Sequence, residues 1–202
     1  MADISWNERY TRPDFLFGTE PNRFLAAQAH RLRPGTRALA LADGEGRNGV
    51  WLAQQGLEVV SVDNASVALE KARGLAQAKG VAVQFECADL LTWDWPRAAF
   101  DAIAAIFIQF ADATTRPELH RRIVAALRPG GLLLLQGYTP RQLQYRTGGP
   151  SDPARLYGAD VLRQDFADLE ILLLREHDEE ICEGSAHCGM SALVDLVARK
   201  PA

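Results

Sequence analysis

From Arg37 onward the sequence alternates short, continuously apolar runs with helix-length amphipathic segments, and this alternation leaves little choice of fold. "RALALA" is followed by "GVWLAQQG", and "LEVVSVD" by "NASVALEKARGLAQAKG", in which Val67, Leu69, Ala72 and Leu75 supply an apolar helix face. "VAVQFECAD" is a third run. "FDAIAAIFIQF" is a fourth, followed by "TTRPELHRRIVAAL", and a Pro129-Gly130-Gly131 turn feeds "LLLLQGY", a fifth. Strands that are apolar along their whole length are covered on both faces, as in a parallel sheet wrapped by helices. The end of the chain differs. "LEILLLREHDEEICEG" and "GMSALVDLVARK" are joined by a polar stretch with no helix between them, and they predict two strands added antiparallel, as a hairpin. Residues 1–34 predict two short helical segments, around "ISWNERYTR", broken by Pro13, and "PNRFLAAQAHRL", opened by Pro21. The expectation is an α/β fold in one domain over residues 1–202: a doubly wound, mostly parallel, seven-stranded sheet in residues 35–202, preceded by a helical segment.

Composition excludes several function classes. A length of 202 residues suits one domain with a real core, and 48% hydrophobic with 24% charged residues is ordinary globular composition. The net charge is -4, only Lys71, Lys79 and Lys200 are lysines, and the arginines form no block. That argues against a nucleic-acid partner held through phosphate contacts. The start, "MADISWNERY", lacks an apolar signal-type core, and the apolar run "AIAAIFIQFA" is about half as long as a membrane-crossing helix. Cys87, Cys182 and Cys188 form no C-x-x-C, which predicts a reduced, cytoplasmic protein, with Cys87 buried in its strand. His187 and Cys188 are adjacent but lack metal-ligand spacing, so no metal site is expected. Nothing in the sequence sets the oligomeric state.

The loop after the first apolar run, "ADGEGRNG", carries a G-x-G-x-x-G at Gly44, Gly46 and Gly49. In an open α/β sheet the ligand sits at the carboxyl ends of the strands, and glycines let backbone approach it closely. Asp63, nineteen residues past Gly44, closes "VVSVD" and is placed to accept both hydroxyls of a ribose. It also suits a helix-capping role with Asn64 and Ser66. NAD and S-adenosylmethionine share the ribose, but charge separates them. A pyrophosphate at a helix N-terminus is repelled by Asp43 and Glu45, whereas a sulfonium and an ammonium group are attracted. Asp89, at the end of the third run, is placed to accept from an adenine amino group. The cofactor predicted is S-adenosylmethionine.

Four segments resemble the motifs of class I S-adenosylmethionine-dependent methyltransferases, in a likeness spanning about residues 1–200. "ALALADGEGRNG" resembles the glycine loop, "VVSVDNAS" the ribose-binding strand end, "ECADLL" the adenine-binding segment, and "LRPGGLLLLQGY" the fifth-strand motif. "SWNERY", "FLFGTEPNRFL" and "YTPRQLQYRTGGP" resemble more narrowly a small bacterial subgroup akin to the tellurite-resistance and thiopurine methyltransferases. The resemblance implies a Rossmann-like methyltransferase fold with an N-terminal helical lid. It implies cofactor contacts from Ala42, Asp43, Gly44, Glu45 and Gly46, from Asp63 and Asn64, from Ala88, Asp89 and Leu90, and from Ile106. The acidic residue and first glycine usual in the loop fall here at Ala40 and Ala42, with Asp43 supplying a carboxylate beside them. Arg47 and Asn48 either brace this loop or touch the ligand. Trp6, Tyr10, Phe15 and Phe17 either pack on the sheet edge or close a lid, and the resemblance favours the lid.

Methyl transfer from a sulfonium is an in-line displacement in which the protein chiefly positions the partners and excludes water. A soft thiolate or chalcogen nucleophile needs little base help; an oxygen or nitrogen nucleophile calls for one, and Tyr138, His187 and Tyr10 are the candidate catalytic or pocket residues. No D/N-P-P-Y/F motif follows the fourth run, where "IFIQFAD" stands, and no Pro-Cys nucleophile is present. A small-molecule acceptor is therefore expected. The alternatives are an RNA or protein methyltransferase working with a partner, a non-catalytic cofactor-binding module, and an NAD-binding oxidoreductase.

Overall fold

The computed structural model describes residues 6–202, so the first five residues of the expected N-terminal segment lie outside it. The described part of that segment contains a single helical turn, α1 (Trp6–Arg9), and a short helix, α2 (Arg23–Ala27). Asn22 caps α2, its side-chain oxygen accepting the Leu25 amide at 3.0 Å. The alternation then follows as β1 (Arg37–Leu41), α3 (Arg47–Gln54), β2 (Glu58–Asp63), α4 (Ser66–Ala78), β3 (Gln84–Cys87), β4 (Phe100–Ile106), α5 (Arg116–Ala126) and β5 (Leu127–Tyr138). After the short helices α6 (Gln142–Tyr145) and α7 (Ala159–Asp165), β6 (Glu170–Glu183) and β7 (His187–Arg199) form the expected hairpin.

The seven strands lie in the order β3-β2-β1-β4-β5-β7-β6. The first five run parallel, and β7 is antiparallel to both β5 and β6. The chain builds outward from β1 on both sides, so the β1/β4 boundary is the switch point where such sheets hold ligands. The apolar runs are continuous because both faces are covered. Leu39, Leu41, Val60, Val62 and Ile103 pack into one core layer, while Ala38, Ala40, Val59, Ala102 and Ala104 pack with Leu52 and the α2 residues Phe24 and Leu25 into the other.

Four details depart from the sequence expectation. Strand β5 already begins at Leu127, with a register shift absorbing Pro129-Gly130-Gly131, because Leu127 pairs with Phe100 and Leu132 with Ala102. The region between β5 and β6 contains α7, whose seven residues carry one buried side chain, Leu162, and so little apolar period. Cys87 is exposed rather than buried, because β3 is an edge strand with a neighbour on one side only. Cys182 and Cys188 are cross-strand partners joined by a disulfide, which overturns the expectation of three free thiols. Their pairing follows from the hairpin register, and no spacing rule in the sequence reveals it. Among the described residues no helix is long and apolar enough to cross a membrane.

Candidate active site

A cavity of about 680 Å³ opens at the carboxyl ends of the strands, across the switch point. One end is formed by the loops that follow β1, β2 and β3: Ala42, Asp43 and Gly44, then Asp63 and Asn64, then Ala88, Asp89 and Leu90. Ile106, closing β4, stands between this end and a second, aromatic one. The fold thus gathers nine of the residues singled out from the sequence, plus Tyr10, Tyr138 and His187. Glu45 and Gly46 are not among the lining residues.

The glycine loop owes its shape to two left-handed positions and one close contact. Gly44 and Gly46 have φ of 57° and 86°, a region disfavoured for residues with a Cβ. A Cβ on Gly46 would lie 2.6 Å from that of Ala72, so this glycine lets α3 meet α4. Gly49 leaves room for Asp43, whose Oδ2 accepts the Gly49 amide and the Ser61 hydroxyl, each at 3.0 Å. Burial pushes the Asp43 carboxyl up to about 7, against those two hydrogen bonds. Asp63 accepts the Gly44 amide on Oδ2 at 2.7 Å and the Ala65 amide on Oδ1 at 2.8 Å. Burial raises its carboxyl too, opposed by these amides. Each oxygen keeps one lone pair for a further donor.

Glu45 turns out of the cavity. Its Oε2 accepts the Leu16 amide at 2.7 Å, and its Oε1 is paired with the Lys71 ammonium, which also donates to the Arg12 and Asp14 carbonyls at 2.9 and 2.7 Å. The expectation that Glu45 offers its charge to a cofactor is corrected accordingly. A lysine from α4 already neutralises it, and its work is to tie residues 12–16 to the loop. Over that tether Tyr10 lies buried, and a Cβ on Gly44 would come within 2.6 Å of its hydroxyl. Trp6 stacks on Tyr10 with centroids 5.6 Å apart. At its far end the segment is held by the hairpin tip, where the Ser185 and Ala186 amides donate to the Leu16 carbonyl at 3.1 and 3.2 Å.

The aromatic end centres on His187, with Phe17, Phe107 and Tyr138 centroids at 4.5, 4.9 and 5.7 Å. Burial keeps the imidazole neutral, with Arg47 acting in the same direction against Glu183. The Tyr138 side chain is 1% exposed, and its hydroxyl has no hydrogen-bond partner among the described residues. Burial raises this hydroxyl well above its ordinary value, so it is a donor at neutral pH.

Arg47 and Asn48 line the cavity and also brace it. Arg47 pairs with Glu183 at 2.6 Å, and Asn48 accepts the Asn22 amide at 2.9 Å. Burial opposes ionisation of Glu183, but His187 and Arg47 outweigh it and hold the carboxyl at about 2.

The sequence assigned no site role to Phe107, Gln109, Phe110 or the loop 148–155, which complete the aromatic end. Phe107 stands just past β4 with φ of 55°, a strained setting for an aromatic residue and the kind of outlier that collects at functional sites. Gln109 donates to the Tyr138 and Arg155 carbonyls at 2.9 and 3.1 Å and accepts the Tyr138 amide at 2.6 Å. Gly149 lies flat on the Tyr138 ring, where a Cβ would meet Cδ2 at 2.7 Å. The Gly148-Gly149-Pro150 string was the available signal.

The sequence family described as a methyltransferase domain matches residues 38–131, the stretch from β1 into β5 that carries the glycine loop, Asp63 and Asp89. Residues 38–131 thus carry the sequence pattern of a methyltransferase domain. A demethylmenaquinone methyltransferase of Thermus thermophilus is 40% identical over 142 residues, covering 69% of this chain and 56% of its own length. The chain spans about half the length of the curated relatives it matches. Among solved structures, one from a study of the conversion of a disulfide bond into a thioacetal group during echinomycin biosynthesis superposes with a TM-score of 0.76 at 21% identity, covering 95% of this chain and 85% of its own. An SAM-dependent methyltransferase of Methanosarcina mazei gives 0.69 at 17% identity, covering 90% and 99%. These likenesses show that the methyltransferase domain has the Rossmann-like fold of its kind, and the methyl donor of such domains is S-adenosylmethionine.

Proposed function

We propose that the chain, working as one unit, transfers a methyl group from S-adenosylmethionine to a small-molecule acceptor. The observation that carries this reading is a single cavity at the switch point with an aspartate-lined end and an aromatic end, both beneath residues 6–18. Its volume of about 680 Å³ lies within the range of small-molecule sites. The donor set fits the cofactor: carboxylates for hydroxyl, amino and ammonium groups, with the Gly44 and Gly49 amides of the loop already taken by Asp63 and Asp43.

The cofactor supplies a methyl group already activated on a sulfonium; the chain's residues supply position and dryness. Asp63 holds the ribose diol with its remaining lone pairs, and Asp43 ionises against the ammonium group. Asp89, whose Oδ1 accepts the Leu91 amide at 2.9 Å, keeps Oδ2 for the adenine amino group. Tyr10 covers Gly44 and shuts out water. At the other end Tyr138 donates a hydrogen bond to the acceptor. His187, neutral, takes the proton of a hydroxyl or amine nucleophile, while a thiolate or chalcogen nucleophile has none to give.

Labelled methyl transfer onto thiols, small metabolites, RNA and protein tests this reading. Labelling of a small molecule supports it; labelling of RNA or protein alone moves the acceptor to a macromolecule. Cofactor binding with no transfer to any class makes the chain a binding module.

A further inference from the structure

The two ends of the cavity differ in charge. Asp43, Asp63 and Asp89 line one; Arg9, Arg47 and Arg155, together with Asp152, border the other. The three arginines are not used alike. Arg47 is committed to Glu183. Arg9 lies over the Trp6 ring, 4.3 Å from its centroid. Arg155 is held more loosely: its side chain is 40% exposed, Asp152 Oδ2 pairs with it at 3.8 Å, beyond hydrogen-bond reach, and its Nε has no hydrogen-bond partner among the described residues. An N–H shielded from solvent with no acceptor leaves a hydrogen bond open to a ligand that enters the cavity.

The Tyr138 hydroxyl and His187 Nδ1 are further buried polar atoms at this end with no hydrogen-bond partner among the described residues. Gln109 couples Tyr138 and Arg155 through their backbone, bonding Tyr138 at both N and O and Arg155 at O. Two donors without a hydrogen-bond acceptor, one of them on a cationic group, thus belong to one end of the cavity, beside the aromatic walls Phe107, Phe110 and His187. Donors without acceptors call for an acceptor-only group, and a guanidinium selects an anionic one.

Resting on the cofactor reading above, we propose that the methyl acceptor is a small aromatic acid, its anionic oxygen group taken by Arg155 and the Tyr138 hydroxyl, with Arg155 the specificity-determining residue. An anion there also complements the cationic cofactor at the opposite end, and the aromatic walls match a flat body.

The test titrates benzoate, its neutral isostere benzamide, and benzylamine into the protein by calorimetry, with and without saturating S-adenosylhomocysteine. The expected result is benzoate binding roughly tenfold or more tightly than benzamide, with benzylamine weakest, as one charge-assisted contact provides. Arg155→Gln abolishes that preference without changing affinity for S-adenosylhomocysteine, and Arg155→Lys keeps part of it; melting temperatures confirm that both variants are folded. Equal binding of benzamide, preference for benzylamine, no benzoate binding at millimolar concentration, or a preference that survives Arg155→Gln overturns the proposal. Failure of S-adenosylhomocysteine to bind overturns the cofactor reading instead, and the benzoate comparison without it still judges Arg155.

Discussion

Asp63 accepts the Gly44 amide at 2.7 Å, so the acid that ends β2 holds the loop that ends β1. The same carboxylate therefore shapes the loop and faces the cavity. Asp63→Ala is expected to weaken S-adenosylmethionine binding by about 1–3 kcal/mol, the scale of leaving hydrogen-bonding partners unpaired. Asp63→Asn, which keeps one acceptor oxygen, loses less. Calorimetry on folded variants decides, and an unchanged affinity for the alanine variant removes Asp63 from the site.

The glycines of the loop predict two different failures. Gly44→Val brings a branched side chain against the Tyr10 hydroxyl at a φ of 57°, and it is expected to abolish cofactor binding. Gly46→Val collides with Ala72 on α4 instead, so its first effect is on stability, a loss of about 1–3 kcal/mol from overpacking. Melting curves and cofactor titrations on both variants separate these outcomes. A Gly46 variant of normal stability that fails to bind contradicts the assignment of this glycine to helix packing.

Asp43 makes binding depend on pH. Its folded carboxyl is pushed up to about 7 by burial, and a cation beside it favours the ionised form. Below that pH, binding expels a proton, so affinity for S-adenosylmethionine rises with pH towards about 7 and then levels. The sign for stability is opposite. The free fold holds this proton more tightly than the unfolded chain, so the contribution of Asp43 is present at low pH and is lost as pH rises towards about 7. Titrations in buffers of differing ionisation enthalpy measure the proton released, and Asp43→Asn is expected to flatten the profile.

Glu45 and Lys71 predict a cofactor-blind effect. Because Lys71 neutralises Glu45 and both bind residues 12–16, Glu45→Gln or Lys71→Met loosens that segment. Amide exchange at Leu16 is expected to speed up, and S-adenosylmethionine and S-adenosylhomocysteine to lose affinity alike. A loss confined to the sulfonium-bearing ligand points instead to a direct charge contact.

Strands β1, β2 and β4 were legible because their side chains are buried on both faces, which writes an unbroken apolar run into the chain. Asp63 was legible as the acid closing such a run, and Asp89 as the acid after the shorter edge strand β3. The directions of the loop side chains were not. Glu45 belongs with Lys71, 26 residues later, and only the packing of α3 against α4 brings them together. The aromatic end was equally hidden. Phe107 and Phe110 follow β4, Arg155 ends a short turn, and His187 opens β7, so no periodicity links residues that meet only through sheet order. Cys182 and Cys188 belong to the same class, since their pairing is a property of hairpin register.

The central claim is that the aspartate-lined end of the cavity binds S-adenosylmethionine. Calorimetric titration of the unmodified protein with S-adenosylmethionine, S-adenosylhomocysteine and NAD tests it directly. The account predicts one site for each of the first two, weakened by Asp63→Ala, and little or no binding of NAD. Failure to bind S-adenosylmethionine, or tighter binding of NAD, contradicts it.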